Sequence, residues 1–343
     1  MSGWTSLFKR SPKLKADPVI RWFGKMPATR EYNDYYRSAN EPWMGEFNEE
    51  WLIRGYEIYG QRVRNGPGGR SAGKDRIPVS SCILRLPKSG MTVLSAILDF
   101  GGDTLGRPFP MCFYVGLPTA DWPGPTSDRI WEALGILRQL VGIQREVARF
   151  LNDPGQKKPE QFSAMFRDRA MSLERAVEPD GDAWLPRARS VSMSDWFAAS
   201  DGHLGAGDVG SWMAMADRWG ARIAEAESED FEATLSFPIV AGVPQEVQVA
   251  GWVRWLEGRM HLGRRAVSMM WTEPAASRPA RLSVIARELM PEDFLLLTPL
   301  VSELNFVDDL AGLRQEPGVD GSALPAGPSS WADFVQSRAK LTA

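Results

Sequence analysis

The chain has 343 residues, 43% of them hydrophobic, which supports one large core or two ordinary ones and excludes a disordered chain. Its 40 basic and 43 acidic residues leave a formal charge of -3, so there is no overall electrostatic case for nucleic acid, and a charge-driven partner needs a local patch. Cys82 and Cys112 are the only cysteines, too few for a disulfide framework and without His or Cys at zinc spacing; reduced, buried thiols in a cytoplasmic protein are the expectation.

Residues 1–18 read as a flexible basic tail carrying Lys9, Arg10, Lys13 and Lys15 without a continuous apolar segment. No later apolar run reaches the ~20 residues that span a bilayer, so neither export nor integral membrane association is expected. Val19 to Phe23 predicts a first strand, closed by Gly24 and Pro27. Trp43, Phe47, Trp51, Ile53 and Tyr56 recur near helical spacing and predict an amphipathic helix ending before Asn65-Gly66. Next, Gly68 to Lys74 fits Gly-x-x-x-x-Gly-Lys, the spacing whose backbone amides cradle phosphates. Against that reading, Asp75 stands where Ser or Thr would hold magnesium, no hydrophobic strand precedes the loop, and Ile77-Pro78 interrupts the helix that should follow.

Ser80 to Leu86, Thr92 to Leu98 and Met111 to Leu117 predict three consecutive strands. Their short links favour antiparallel neighbours, because a parallel crossover needs about a dozen residues or more. The link from Asp99 to Pro110 carries Gly101, Gly102 and Gly106 together with Asp103 and Arg107. Glycine admits backbone conformations closed to other residues, while Pro108 pushes Arg107 towards an extended form. A guanidinium on so pinned a backbone pairs either with Asp103, as a structural staple, or with an acidic group on a partner.

From 125 to 228 the periodicity is helical. Ile130, Leu134, Leu137, Val141, Ala148 and Leu151 mark one face, with Thr126 or Ser127 as cap and Asp153-Pro-Gly155 as stop. Further helices are predicted around Phe162 to Val177, Ser192 to Ala199 and Trp212 to Ile223. Strand patterns return at Phe231 to Val240, Val247 to Leu256 and Met260 to Trp271, with Leu282 to Ala286 as an added edge. Pro291 suits the first turn of a helix bearing Phe294, Leu295 and Leu297. The predicted organisation is one domain over 19–310, a Pro/Gly-rich linker over 311–329, and a short C-terminal helix within 330–343. That helix, capped by Ser330 and bearing Trp331, Phe334 and Val335, either packs on its own domain, the favoured reading since exposed aromatic stripes limit solubility, or fits a partner groove. The fold class is α+β: a mainly antiparallel sheet flanked by helices, with a helical insertion.

His203 and His261 lie far apart in sequence, without an adjacent acid and nucleophile, and read as structural or surface residues. Glu49-Glu50 and Glu229-Asp230 are adjacent acids of the kind that usually point apart and are solvated. No cofactor and no enzymatic activity are expected.

Four blocks carry a family resemblance. Asp103-Thr-Leu-Gly-Arg-Pro-Phe-Pro-Met111 resembles the Asp-x-x-Gly-Arg-x-Phe-Pro-Leu signature of the TagF family, also called ImpM, which accompanies type VI secretion systems. Trp22-Phe-Gly-Lys-Met-Pro-Ala-Thr-Arg-Glu-Tyr32 is similar to its opening Trp-Phe-Gly-Lys-Leu-Pro-Ser-Arg-Gly-Asp-Phe, although Arg30-Glu31-Tyr32 replaces Gly-Asp-Phe. Trp51-Leu52 and Ser268-Met-Met-Trp-Thr272 resemble two later blocks, in the family's order. The resemblance implies a longin-like core and a cytoplasmic, post-translational negative regulator of type VI secretion assembly that engages a forkhead-associated scaffold protein. On that expectation Gly24, Lys25, Pro27, Asp103, Gly106, Arg107 and Phe109 form a rigid docking face. The alternatives are a nucleotide-binding enzyme using Gly68 to Lys74 and a structural subunit of the secretion apparatus.

Overall fold

The computed structural model describes residues 19–25, 35–38, 41–66, 77–101, 107–122, 127–152, 184–200, 209–225, 234–257, 259, 267–273, 280–304, 307–309 and 330–339. They build a nine-stranded sheet. Its strands are β1 Arg21–Gly24, β2 Tyr36–Arg37, β3 Ser80–Leu86, β4 Met91–Leu98, β5 Met111–Pro118, β6 Thr234–Ile239, β7 Ser268–Thr272, β8 Ala280–Ile285 and β9 Val307–Asp309. The order is β2-β1-β5-β4-β3-β7-β8-β6-β9, and every neighbouring pair is antiparallel except β6 with β9. The expected α+β class, a mainly antiparallel sheet flanked by helices, is the class observed.

Both faces of the sheet are covered, which explains why its central strands are continuous apolar runs rather than alternating ones. Along β3, Ile83 faces one core while Cys82 and Leu84 face the other. The second of these cores lies under a π-helical segment, Glu46–Ile53, that continues into α1, Arg54–Asn65, with the 3-10 segments Pro291–Leu297 and Pro299–Glu303 beside it. Of the stripe read from the sequence, Phe47 and Trp51 are buried in this core, while Trp43, Ile53 and Tyr56 are half-buried and pack against it.

The first core lies under six helices: α2 Ser127–Asn152, α3 Trp184–Arg189, α4 Met193–Ala198, α5 Val209–Glu225, α6 Gln245–Glu257 and α7 Trp331–Ala339. Its centre is a cluster of indoles in which Trp196 stacks on Trp331 at 4.9 Å and meets Trp212 at 4.9 Å. The carboxamide of Gln248 ties the layers together. Its Oε1 accepts from the Trp196 Nε1–H at 2.8 Å and the Val240 N–H at 2.9 Å, and its Nε2 donates to the carbonyls of Val240 and Val243 at 3.0 and 3.1 Å. A buried amide thus has both ends satisfied, as burial requires.

Two expectations need correction. Val247 to Leu256, read as a strand, is α6, and nine of its residues from Val247 to Leu256 are buried. A helix covered nearly all round shows no 3.6-residue stripe, so the alternation of Val247, Val249 and Gly251 imitated a strand. The stretch around Leu282 is not an edge; β8 lies between β7 and β6. The C-terminal helix packs on the body of the chain as expected: Ser330 caps it by accepting the Asp333 N–H at 3.2 Å, and Trp331, Phe334 and Val335 are buried against the first core. The predicted helix over Phe162 to Val177, the linker over 311–329 and the tail 1–18 lie outside the described residues.

Candidate functional site

Two sequence blocks that lie some ninety residues apart meet at one corner of the sheet. β1 pairs with β5 so that Trp22 is opposite Phe113 and Phe23 opposite Cys112, which brings Gly24 to the place where the chain enters β5. Gly24 has φ +147°, and a Cβ built on it would stand 2.2 Å from the Pro110 carbonyl oxygen and 2.6 Å from the Met111 Cα. Only a residue without a side chain allows that approach.

Around this contact the side chains form an aromatic base. Phe23 stacks on Tyr35 at 4.9 Å, and Phe109 meets Tyr35 edge-on at 4.8 Å and Tyr56 at 5.0 Å. Lys25 places its Nζ 5.1 Å from the centre of the Tyr35 ring, a cation–π contact at the rim. Arg107, two residues before Phe109, is exposed, while Phe109 is only 2% exposed. Phe109 therefore shapes the face from beneath rather than presenting itself to a partner. Pro27, Asp103 and Gly106 lie outside the described residues.

The carboxylate that organises the described part of the turn is Asp99, which the motif alone did not single out. Its Oδ1 accepts the Gly101 N–H at 2.7 Å, a local turn at a glycine with φ +88°, and its Oδ2 accepts the Ile77 N–H at 3.4 Å. Burial, and secondarily the nearby charge of Asp99, pushes the Tyr56 hydroxyl well above the ordinary tyrosine range, so Tyr56 stays a neutral donor at this corner. Tyr35, Tyr56 and Asp99 are thus site residues that the motif reading missed. Asp99 stands in the same Gly-rich stretch, two residues before Gly101, a spacing that suits an Asx turn; Tyr35 carries no signal, because only the β1–β2 pairing brings it back to Phe23.

The remaining candidate groups fall elsewhere. Cys82 and Cys112 are buried free thiols whose ionisation burial pushes up, which makes them packing residues rather than nucleophiles. Glu49 and Glu50 are both exposed, and Glu50 pairs with Lys88. His203, His261, Glu229, Asp230 and the Gly68 to Lys74 loop lie outside the described residues. Among the described residues no three His, Cys, Asp or Glu side chains could hold a metal ion together, and no helix is long and apolar enough to cross a membrane.

No family model matches the sequence, and no curated protein matches it.

Proposed function

We propose that the chain is a cytoplasmic, post-translational negative regulator of type VI secretion assembly that acts by docking a forkhead-associated scaffold protein on the β1–β5 corner. The reading rests on the family resemblance, and one observation supports it from the molecule itself. The opening block and the Gly-Arg-Pro-Phe-Pro block, remote in sequence, are adjacent through the contact of Gly24 with Pro110. That contact, the buried Phe109 and the Tyr35 ring give Lys25 a rigid base, and the exposed Arg107 precedes Phe109 by two residues. A cation on a pre-organised aromatic floor, with the Arg107 guanidinium exposed nearby in sequence, suits an acidic or polar partner surface, since little ordering entropy is lost on binding.

Capture of the scaffold by purified wild-type protein and by an Arg107→Ala variant tests this, with circular dichroism confirming that both are folded. The expected result is capture of the forkhead-associated protein by wild type and a loss with Arg107→Ala. Capture of that protein by neither would overturn the reading, and equal capture by both would leave Arg107 a structural residue.

A further inference from the structure

A cleft of about 860 Å³ lies at the hairpin end of the central strands, where Leu86 of β3 pairs with Met91 of β4. Its walls are the start of the 46–65 helical segment, residues 85–88 and residues 287–292. The chain enters the sheet at the same end. β1 and β5 pair Phe23 with Cys112 and Arg21 with Tyr114, and β5 runs on to Pro118, which pairs with Met91. Backwards from Arg21, the chain therefore points towards the hairpin. Arg21 also lies on the face of the sheet that carries the cleft: Trp22 packs on the first core and Phe23 in the second, and the Arg21 guanidinium pairs with Glu41, five residues before Glu46 in the cleft wall.

Apolar surface and charge are both left open there. Among the described residues, the two large apolar side chains markedly exposed are Val19, on the entering chain, at 52%, and Met290, in the cleft, at 49%. Leu289, beside Met290, is half-buried in the same wall. Two of the cleft's cations are already engaged: Lys88 pairs with Glu50, and Arg287 holds the buried Asp293 in a two-point pair at 2.6 and 2.9 Å. Glu46, Glu288 and Glu292 then stand against Arg54 and Arg85, a balance on the acidic side. The Lys88 ammonium senses it. Glu50 first, and then Glu46 and Glu288, hold its ionisation above the ordinary lysine range.

Apolar surface beside carboxylates suits a segment that carries large apolar side chains and cations in one short run. Residues 1–18 are such a segment: Trp4, Leu7 and Phe8 are followed by Lys9, Arg10, Lys13 and Lys15, and Asp17 is the one acid. We propose that the cleft is the docking site of residues 1–18, with Trp4, Leu7 and Phe8 on Leu289 and Met290 and with Lys9 and Arg10 beside Glu288 and Glu292. Reach does not limit this. β1 is three strands from β3, about 14 Å at the usual strand spacing, whereas the chain from Phe8 to Val19 extends to about 36 Å. A tethered segment also needs little affinity of its own, because its effective concentration is roughly millimolar. The inference does not depend on the docking corner around Gly24, which lies at the other end of the strands.

Photo-crosslinking in the purified full-length protein tests it, with the photoreactive p-benzoylphenylalanine in place of Phe8 and adducts mapped by mass spectrometry in an equal mixture of isotope-light and isotope-heavy chains. The expected adducts join position 8 to residues 85–88 or 287–292 of the same chain. Glu288→Lys and Met290→Lys, both at exposed positions, add a cation to the cleft, and circular dichroism confirms that each variant is folded. Each should cut that adduct about threefold or more and speed tryptic cleavage after Arg10 and Lys13 by a similar factor, since cleavage follows the undocked population. No adduct, adducts spread over other parts of the chain, adducts between chains only, or unchanged adduct and cleavage in either variant would each overturn the proposal.

Discussion

Gly24 and Pro110 lie closer than any two residues with side chains could: a Cβ on Gly24 would stand 2.2 Å from the Pro110 carbonyl oxygen. With φ at +147°, the position is closed to other residues on two counts, steric contact and backbone strain. Gly24→Ala should therefore lower stability by about 1–3 kcal/mol in urea unfolding and loosen the corner that carries Lys25 and Arg107. Gly142, within α2, has open space around its Cα and negative φ, so Gly142→Ala should stabilise by about 0.5–1 kcal/mol in the same measurement. An unchanged Gly24→Ala would show that the contact is dispensable.

The first core depends on a second close approach. A Cβ on Gly251 would meet the Trp331 Nε1 at 2.2 Å, and Trp331 is wholly buried against Trp196 and Trp252. Trp331→Ala should cost about 3–5 kcal/mol, the range for a large buried aromatic. Gly251→Ala should push α7 off the body of the chain and expose the C-terminal segment to trypsin. Equal protease resistance in wild type and Gly251→Ala would contradict this packing.

Arg287 and Asp293 form the most deeply buried ion pair described, Asp293 being 0% exposed; its Oδ2 also accepts the Met290 N–H at 2.8 Å. Removing one partner leaves an uncompensated buried charge, so Arg287→Ala and Asp293→Ala should each cost roughly 3–5 kcal/mol. The double variant should cost clearly less than the sum of the two, because the pair is lost only once. Additive losses in a double-mutant cycle would show that the two side chains act independently.

Acid should weaken the anchoring of β1 through Glu41. The Trp43 Nε1–H donates to Glu41 at 2.8 Å, and Arg21 pairs with the same carboxylate; the two, in that order, hold its ionisation below the ordinary 4.5. A carboxylate depressed in the folded state adds stability that is fully present above its unfolded value and is lost as pH falls through the folded one. The stability difference between wild type and Glu41→Gln should thus be constant near neutral pH and narrow below about pH 4.5, as measured by urea melts across that range. Glu41 is 37% exposed, so water screens the pair and the difference should be small. A gap that widens in acid would contradict the assignment.

The legible part of this fold is the part with local punctuation. β3, β4 and β5 were readable because short links bound three apolar runs, and α2 because its apolar residues recur at helical spacing over several turns, with exposed charged positions such as Arg138, Arg145 and Arg149 between them. α6 was not, since helices and sheet enclose Trp252, Trp255 and their neighbours on nearly every side and erase the period. At the candidate corner, Gly24 and Arg107 announced themselves through Gly and Pro chemistry. Tyr35 and Tyr56 arrive there only by strand pairing and by the helix crossing the sheet, which no local pattern encodes.

The most direct test of the proposed docking face is photo-crosslinking in living cells. The photoreactive residue p-benzoylphenylalanine would replace the exposed Arg107 or, as control, the exposed Arg138 on α2, which belongs to the opposite layer. A crosslink from position 107 to a forkhead-associated protein, with none from 138, is the expected result. A crosslink to that protein from 138 alone, or from neither position, would contradict the claim that the β1–β5 corner is where the partner sits.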